Sequence, residues 1–331
     1  MHPVVDLGEP FARLDEHDAA DLLRSTFGVE AAHLERLDTE RDDTFRVRTA
    51  AGSYVLKVAH PDDDPLYVNM QTAAMSFAAE IEPLLPLQSL ALSVEGEVEP
   101  VIEHGGRERV ARLLTWRDGI PLGSAPKPDA AQLRILGETS GRLTSALSTF
   151  DHPAAHREFV WDVGRLEVVR PLLDEYPMQE TRELFAVYDR VVVPVIRELP
   201  QQVIHNDFHL GNIVVQPDSP GYITGVIDFG DTVHTARVAD LAVALSYLVV
   251  PGDAGTEDLA AFQDGYESRV RLTDAEREVL PVLVAARIAQ RILVNLNLAR
   301  GNPDDRGSAI GSAETNRRAL GALLPALLEN T

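Results

Sequence analysis

The protein has 331 residues, a length that suggests about two domains with a large buried core. Asp and Glu number 52 against 30 Lys and Arg, which gives a formal net charge of −22. An acidic surface repels phosphate backbones, so we expect no nucleic-acid partner; such a surface serves solubility or attracts a cationic small molecule. Because the chain contains no cysteine, disulfides and thiolate metal sites are excluded.

The first ten residues lack a basic region followed by an apolar run, so no signal peptide is predicted. Apolar stretches such as 241–250 are too short and too mixed in composition to span a bilayer. We therefore expect a cytoplasmic protein with no membrane partner.

Residues 1–116 are predicted to form a small, strand-rich unit. The first helix of this unit belongs to an N-terminal extension over residues 1–30, and Lys57 lies in a strand, on the same face as Val55 and Ala59. The hydrophobic periodicity predicts helices over 17–27 and 66–81, and hairpins that pair 44–49 with 53–59 and 98–102 with 109–116.

The composition changes at the Pro- and Gly-rich segment 119–128, which indicates the end of a linker. Asp129 is a suitable N-cap for a long helix that follows the linker. We therefore predict an α+β fold with an antiparallel-sheet lobe over residues 1–116 and a larger helical lobe over 117–331. The predicted elements of the second lobe are helices over 129–147 and 179–198, a strand–turn–strand unit over 203–229 and mainly helical structure over 240–328.

Two polar motifs in the strand–turn–strand unit each follow a short apolar strand. The first runs from His205 to Asn212 and reads HNDFHLGN; the second runs from Asp228 to Asp231 and reads DFGD. Carboxylate and amide oxygens are the ligands that magnesium prefers. Phosphoryl transfer depends on positioning and charge neutralisation, which such side chains provide.

The spacing His-x-Asp-x-x-x-x-Asn, followed by Asp-Phe-Gly, resembles the catalytic core of the kinase superfamily. Both motifs, without an Ala-Pro-Glu motif after Asp228, are similar to those of the aminoglycoside phosphotransferase and choline kinase family. The segments RIAQ at 287–290 and LLTW at 113–116 look most like the hydroxylysine kinase subgroup. The resemblance implies a bilobal protein-kinase-like fold and a small-molecule kinase that uses ATP or GTP with Mg²⁺.

The resemblance also implies a role for individual residues. Asp207 would orient or accept the proton of the attacking hydroxyl, and Asn212 and Asp228 would bind the metal. His205 and Asp240 would support the loop that carries Asp207. The residues expected at the nucleotide are Lys57, Thr39, Thr44, Thr115 and Trp116.

Several residues have an alternative interpretation. Asp231 is either a turn residue or a contact for a substrate amine, and His209 is either a packed histidine or a substrate contact. Trp116 either packs in the core or lies against the purine ring. Arg287 and Arg291 share a helix face, and we expect them to pair with the acidic surface rather than with substrate.

The sequence departs from the family pattern at three places. Relatives hold the strand lysine with a glutamate from the next helix, where this chain offers Asn69, Gln71 or, near the helix end, Glu80. The loop over 38–44 is not glycine-rich. Asn206 replaces a frequent glycine, so we expect a left-handed backbone there, which Asn tolerates.

Two other classes of function compete with the kinase hypothesis. A non-catalytic nucleotide sensor on the same fold would explain the missing helix glutamate. A metal-dependent hydrolase, the second class, would draw its ligands from His205, Asp207, His209, Asp228 and His234.

Under the kinase hypothesis, the expected acceptor is a hydroxylated amino acid or amino alcohol, with an aminoglycoside antibiotic as the alternative.

Overall fold

The computed structural model describes residues 11–39, 41–249, 256–301 and 306–329. Its α-helices are α1 Glu16–Phe27, α2 Pro65–Ile81, α3 Ala130–Ala146, α4 Leu172–Glu175, α5 Gln179–Val191, α6 Val238–Ser246, α7 Thr256–Glu267, α8 Asp274–Gly301 and α9 Arg306–Glu329. Its strands are β1 His33–Leu37, β2 Asp43–Arg48, β3 Ser53–Val58, β4 Leu90–Ala91, β5 Val101–His104, β6 Arg107–Thr115, β7 Ile120–Pro121, β8 Gln201–Ile204, β9 Ile213–Val215, β10 Ile223–Val226 and β11 Val233–Ala236.

The N-terminal sheet has the strand order β1-β2-β3-β6-β4, with β5 also paired to β6, and these pairings are antiparallel. Side chains alternate between the two faces, and the apolar residues of one face pack under α1. Lys57 lies on the opposite face, in the central strand β3. The register places it beside Thr44 of β2 and Arg112 of β6.

A buried carboxylate joins the segment before α1 to this sheet. Asp43 is fully buried and accepts hydrogen bonds from Arg36 at 2.8 Å, from Arg109 at 2.8 Å and from the Leu14 backbone at 3.0 Å. Burial by itself would raise the pKa of Asp43, but these donors outweigh it and lower the pKa. Asp43 is therefore a structural ion-pair centre within the small sheet unit.

The C-terminal part is mainly helical around two small sheets, ordered β10-β9-β7 and β11-β8. This arrangement confirms the predicted α+β class, while the boundary at 116/117 stays a prediction. The segment 119–128 is not only a linker. Ile120 and Pro121 form β7 and pair with Val215 and Val214 of β9, so the prediction missed a strand there.

Helix α8 runs through the helical core. By length and composition it could cross a membrane, since an 18-residue window has a mean hydropathy of 1.6, and the expectation based on 241–250 did not consider this longer helix. However, 78% of its most apolar window is buried inside the protein, as in the core helix of a soluble fold. The burial is explained by its contacts with α5, α6 and α9.

Several predicted elements are confirmed, with shifted ends. Helices α1, α2 and α3 match the predicted helices, and Asp129 caps α3 in a capping box with Gln132. The predicted helix over 179–198 ends earlier, at Val191. Strand β11 was not predicted, because its pairing with β8 is a tertiary contact that the local pattern does not encode.

Helices α3 and α7 approach so closely that each contributes a glycine to the contact. A Cβ atom on Gly137 would lie 1.8 Å from the carbonyl oxygen of Phe262, and one on Gly265 would lie 2.1 Å from the carbonyl oxygen of Arg134. Both obstacles are backbone atoms, which cannot rotate away. The packing of these helices therefore requires glycine at both positions.

Gly137→Ala should destabilise the protein by about 1–3 kcal/mol or more, because overpacking outweighs the better helix propensity of Ala. Gly321→Ala is the matched control, since that glycine is also helical but meets nothing within 4 Å. The control should stabilise the protein by about 0.5–1 kcal/mol. Urea unfolding of both variants measures the difference, and equal midpoints would contradict the close approach.

Candidate active site

The loop over 205–212 joins β8 to β9, and a buried carboxylate fixes its first turn. Asp240 of α6 is 1% exposed and accepts from the Asn206 backbone N–H at 2.9 Å and from the Thr144 hydroxyl at 2.6 Å. Burial raises the pKa of Asp240. Asn206 has a φ of 65°, which confirms the expected left-handed backbone.

His205 lies fully buried beneath the same loop. Its Nδ1 accepts a hydrogen bond from the Asp207 backbone N–H at 3.2 Å, and its ring packs edge-on against Phe229 at 4.7 Å. Burial lowers the pKa of His205, which favours the neutral ring that can accept this bond. The histidine therefore links the loop of the first motif to the second motif.

The carboxylate of Asp207 is held from three sides. Its Oδ2 accepts from the Asn212 amide nitrogen at 2.6 Å and lies 3.3 Å from Nε2 of His209, while its Oδ1 lies 3.3 Å from the Arg287 guanidinium. The side chain is only half-buried, so the carboxylate is both oriented and accessible. This arrangement suits a group that must meet a proton donor in a fixed direction.

Asp228 follows β10 and has a φ of 64°, an uncommon conformation for a residue with a side chain. Its Oδ2 lies 3.2 Å from Nζ of Lys57, and its Oδ1 accepts from the Gly230 N–H at 3.1 Å. The charge of Lys57 lowers the pKa of Asp228 to about 2, despite burial. The carboxylate is therefore ionised at neutral pH.

The antiparallel β9–β10 pair brings the two motifs together. Ile227, just before Asp228, donates its backbone N–H to the Asn212 carbonyl at 3.0 Å. The structure thus brings the predicted residues Asp207, Asn212 and Asp228 to one place, with Lys57 reaching them from the N-terminal sheet.

Neither Asn69, Gln71 nor Glu80 contacts Lys57 in the part of the chain that is described. Asn69 bonds Glu99 at 2.9 Å, Gln71 accepts from Arg112 at 3.0 Å, and Glu80 is exposed. The lysine pairs with Asp228 instead. The sequence left this partner open among the three residues of α2, and the structure places Asp228 there, while Gln71 is bound by Arg112 of β6.

The other residues expected at the nucleotide lie between β1 and β2, in β2, and at the end of β6. The Thr39 hydroxyl donates to the Asp42 carbonyl at 2.8 Å, and its oxygen lies 3.2 Å from the Thr44 hydroxyl oxygen. The carbonyl of Thr115 accepts from the Gln88 side chain at 2.9 Å. Trp116 is half-buried, with the guanidinium of Arg46 4.0 Å from its ring centroid.

Arg287 does not pair with the acidic surface, so that expectation was wrong. It is 1% exposed, donates to the Trp161 carbonyl at 2.8 Å and faces both Asp207 and Asp231, the latter at 4.0 Å. Burial and the nearby charge of Asp207 raise the pKa of Asp231 well above its usual range. The arginine therefore offsets repulsion between two carboxylates.

The donor set fits a magnesium–nucleotide complex better than a metal held by protein alone. Mg²⁺ is commonly bound by one or two carboxylates together with substrate phosphates. The Asn212 amide nitrogen is bonded to Asp207, which leaves its amide oxygen as a ligand beside Asp228. Within the described residues, no three His, Asp or Glu side chains are grouped to hold a metal ion.

The five residues of the hydrolase hypothesis do not gather around one point. The ring of His234 packs against His156 at 4.3 Å, and His205 is buried with Nδ1 bonded to the loop backbone. A shared transition-metal site would need these nitrogens to converge on an accessible ion. The geometry therefore disfavours the hydrolase.

Two side chains near Lys57 escaped the sequence analysis. Arg112 is 4% exposed, and its guanidinium lies 3.8 Å from the Asp42 carboxylate. Burial raises the pKa of Asp42, while Lys57 and Arg112 act against that rise. The strand pattern could have identified Arg112, because it lies on the face of β6 that also carries the apolar Leu114.

The chain resembles known phosphotransferases in sequence over most of its length. It is 24% identical to hydroxylysine kinase of Mus musculus, with 92% of this chain and 88% of the relative covered. It is 28% identical to homoserine kinase of Methylobacillus flagellatus, with 59% of this chain and 62% of the relative covered.

Solved structures share the fold. An aminopropanol kinase associated with a microcompartment has a TM-score of 0.74 at 21% identity, covering 96% of this chain and 98% of that one. An amicoumacin kinase in complex with AMP-PNP and Ca²⁺ has a TM-score of 0.72 at 16% identity, covering 93% of both chains.

The family model described as the phosphotransferase enzyme family matches residues 33–280, which include the sheet, both polar motifs and most of the helical part. The chain therefore belongs to this phosphotransferase family and is an enzyme that transfers phosphoryl groups.

Proposed function

We propose that the protein is a kinase that transfers the γ-phosphoryl group of ATP or GTP to a hydroxyl of a small aminated acceptor. The observation that carries this proposal is the convergence of Asp207, Asn212, Asp228 and Lys57 from two parts of the chain. The names of the relatives support it, since hydroxylysine kinase and aminopropanol kinase denote kinases of small aminated alcohols.

Each residue then has a defined task. The acceptor oxygen attacks the γ-phosphorus, and its proton passes to the Asp207 carboxylate. The bond between the γ-phosphorus and the bridging oxygen breaks, so that a nucleoside diphosphate leaves. Asn212 and Arg287 keep the carboxylate oriented during this step, at 2.6 Å and 3.3 Å.

Lys57 and the residues near it would bind the nucleotide. Lys57 is positioned to exchange part of its contact with Asp228 for the phosphates, and Asn212 and Asp228 would hold Mg²⁺. When bound, Mg²⁺ would neutralise charge on the phosphates. We assign Thr39, Thr44, Thr115 and Trp116 to the rest of the nucleotide site.

The cluster of carboxylates favours an acceptor that carries an amine. Asp207 and Asp228 lie close enough to Asp231 to raise its pKa, and Arg287, at 4.0 Å from Asp231, offsets part of that repulsion. An ammonium group would relieve this repulsion. A hydroxylated amino acid or amino alcohol fits a single amine; an aminoglycoside antibiotic is the second candidate.

A turnover screen tests the proposal. ATP and GTP are each offered with Mg²⁺ and a panel of hydroxylated amines, amino acids and aminoglycosides, and nucleoside diphosphate release is measured. Release that depends on the acceptor supports the kinase. Nucleotide binding without acceptor-dependent release would instead favour the non-catalytic sensor.

Asp207→Asn should lower kcat by about 10²-fold or more, because the amide cannot accept the hydroxyl proton. The nucleotide Kd should stay close to that of the wild type, since Asp207 contacts Asn212, His209 and Arg287 rather than Lys57. Steady-state kinetics and isothermal titration with a non-hydrolysable nucleotide measure the two effects. Wild-type turnover in this variant would remove Asp207 from the mechanism.

Asp228→Asn should instead weaken binding of the magnesium–nucleotide complex by about tenfold or more, because a charged ligand is lost. Titration of the nucleotide at fixed Mg²⁺ measures this change. Asp218→Asn is the matched control, since Asp218 is an exposed residue of the β9–β10 turn. If both variants bind the nucleotide equally well, the metal role assigned to Asp228 is wrong.

A further inference from the structure

Three buried or half-buried arginines lie around the proposed acceptor site, and two of them bind backbone carbonyls and have a carboxylate nearby. Arg287 binds Asp207 and the Trp161 carbonyl. Arg157 donates to the carbonyls of Gly230 and Thr232 at 2.9 and 3.1 Å and also lies near Asp231. Both guanidinium groups thus have a carboxylate nearby that offsets their charge, although Nε of each has no hydrogen-bond partner among the described residues.

Arg291 differs from both of these arginines. It is half-buried, its one hydrogen bond within the described chain is to the Ser246 carbonyl at 3.3 Å, and no carboxylate of the described residues forms an ion pair with it. Burial and the charge of Arg287 lower its pKa, so the fold places a cation here without a described counter-charge. A guanidinium presents five N–H donors in a fork that matches a carboxylate.

A row of side chains connects Arg291 to the reacting group. Its guanidinium lies 4.1 Å from the Tyr247 ring centroid, Tyr247 stacks on His209 at 4.9 Å, and His209 lies 3.3 Å from the Asp207 carboxylate. All four side chains are half-buried, so the row borders accessible space. Arg291 also follows Arg287 by four residues, so the two residues lie on one face of α8, with their Cα atoms about 6 Å apart along the helix axis.

We propose that Arg291 determines acceptor specificity by binding a carboxylate of the acceptor, so that the enzyme favours hydroxylated amino acids over amino alcohols and aminoglycosides. This inference rests on the proposed kinase function. The hydroxyl of the acceptor meets Asp207, its amine lies near Asp231, and its carboxylate pairs with Arg291. The three functional groups of the acceptor thereby meet three side chains that complement them in charge and hydrogen bonding.

Matched acceptors that differ only in the carboxylate test this assignment. The pairs are homoserine with 3-aminopropan-1-ol, threonine with 1-aminopropan-2-ol, and 5-hydroxylysine with 1,5-diaminopentan-2-ol. For each pair the ratio of kcat/KM values is measured. Because both members are assayed on the same preparation, the ratio does not depend on how much of a variant is folded.

The wild type should favour the carboxylate-bearing member of the pair that it accepts. Arg291→Met retains an unbranched side chain over Tyr247 but removes the charge, and it should lower the ratio by about 10²-fold. Arg291→Lys should lower it less, since the charge remains without the fork. Arg134→Met is the control, because Arg134 is an exposed arginine of α3 paired with Asp264; it should keep the wild-type ratio.

Two results would overturn the inference while the kinase function stands: a wild-type preference for amino alcohols, or the same ratio in Arg291→Met as in the wild type. If the wild type turns over none of these acceptors and none of the aminoglycosides of the turnover screen, the proposed function fails. Calorimetric titration of the amino acids in the presence of a non-hydrolysable nucleotide then still tests Arg291. Binding that is lost in Arg291→Met supports the carboxylate contact, and binding that is retained, or absent from the wild type, contradicts it.

Discussion

Repulsion between closely spaced carboxylates is the constraint on which this site depends. Asp207 and Asp228 raise the pKa of Asp231, and two cations from different parts of the chain, Lys57 and Arg287, offset the charges of the cluster. As a consequence, Asp228 and Asp231 have different electrostatic environments and opposite pKa shifts. Lys57 lowers the pKa of Asp228 to about 2, whereas burial and Asp207 raise that of Asp231. Carboxylates of different acidity can then take different tasks.

The same constraint bears on the acceptor site that we propose in the helical part. Helix α8 carries Arg287, which contacts the Asp207 carboxylate, and one turn later Arg291, for which the described residues provide no carboxylate partner. Its burial fixes the backbone positions of both arginines, since a core helix cannot rotate without disrupting its packing against α6 and α9. A specificity residue on a rigid element can position its ligand closely.

The part of the site that we expect to bind the nucleotide departs from the family pattern in the partner of its lysine. No residue of α2 holds Lys57 in the described structure; Gln71 instead binds Arg112, the neighbour of Lys57 across the β3–β6 pairing. Arg112 and Asp42 therefore add a positive and a negative group beside the expected phosphate position. The lysine is oriented through Asp228, which couples the N-terminal sheet directly to the second polar motif.

The sequence by itself determined the α+β class, the principal helices and the two motifs, because hydrophobic period, capping residues and motif spacing are local properties. It also indicated the left-handed backbone of Asn206. Tertiary structure alone decided which charges meet. Arg287, expected on the surface, is buried against Asp207, and strands β7 and β11 exist through pairing with distant segments. Such contacts depend on how helices and strands pack, which no local pattern encodes.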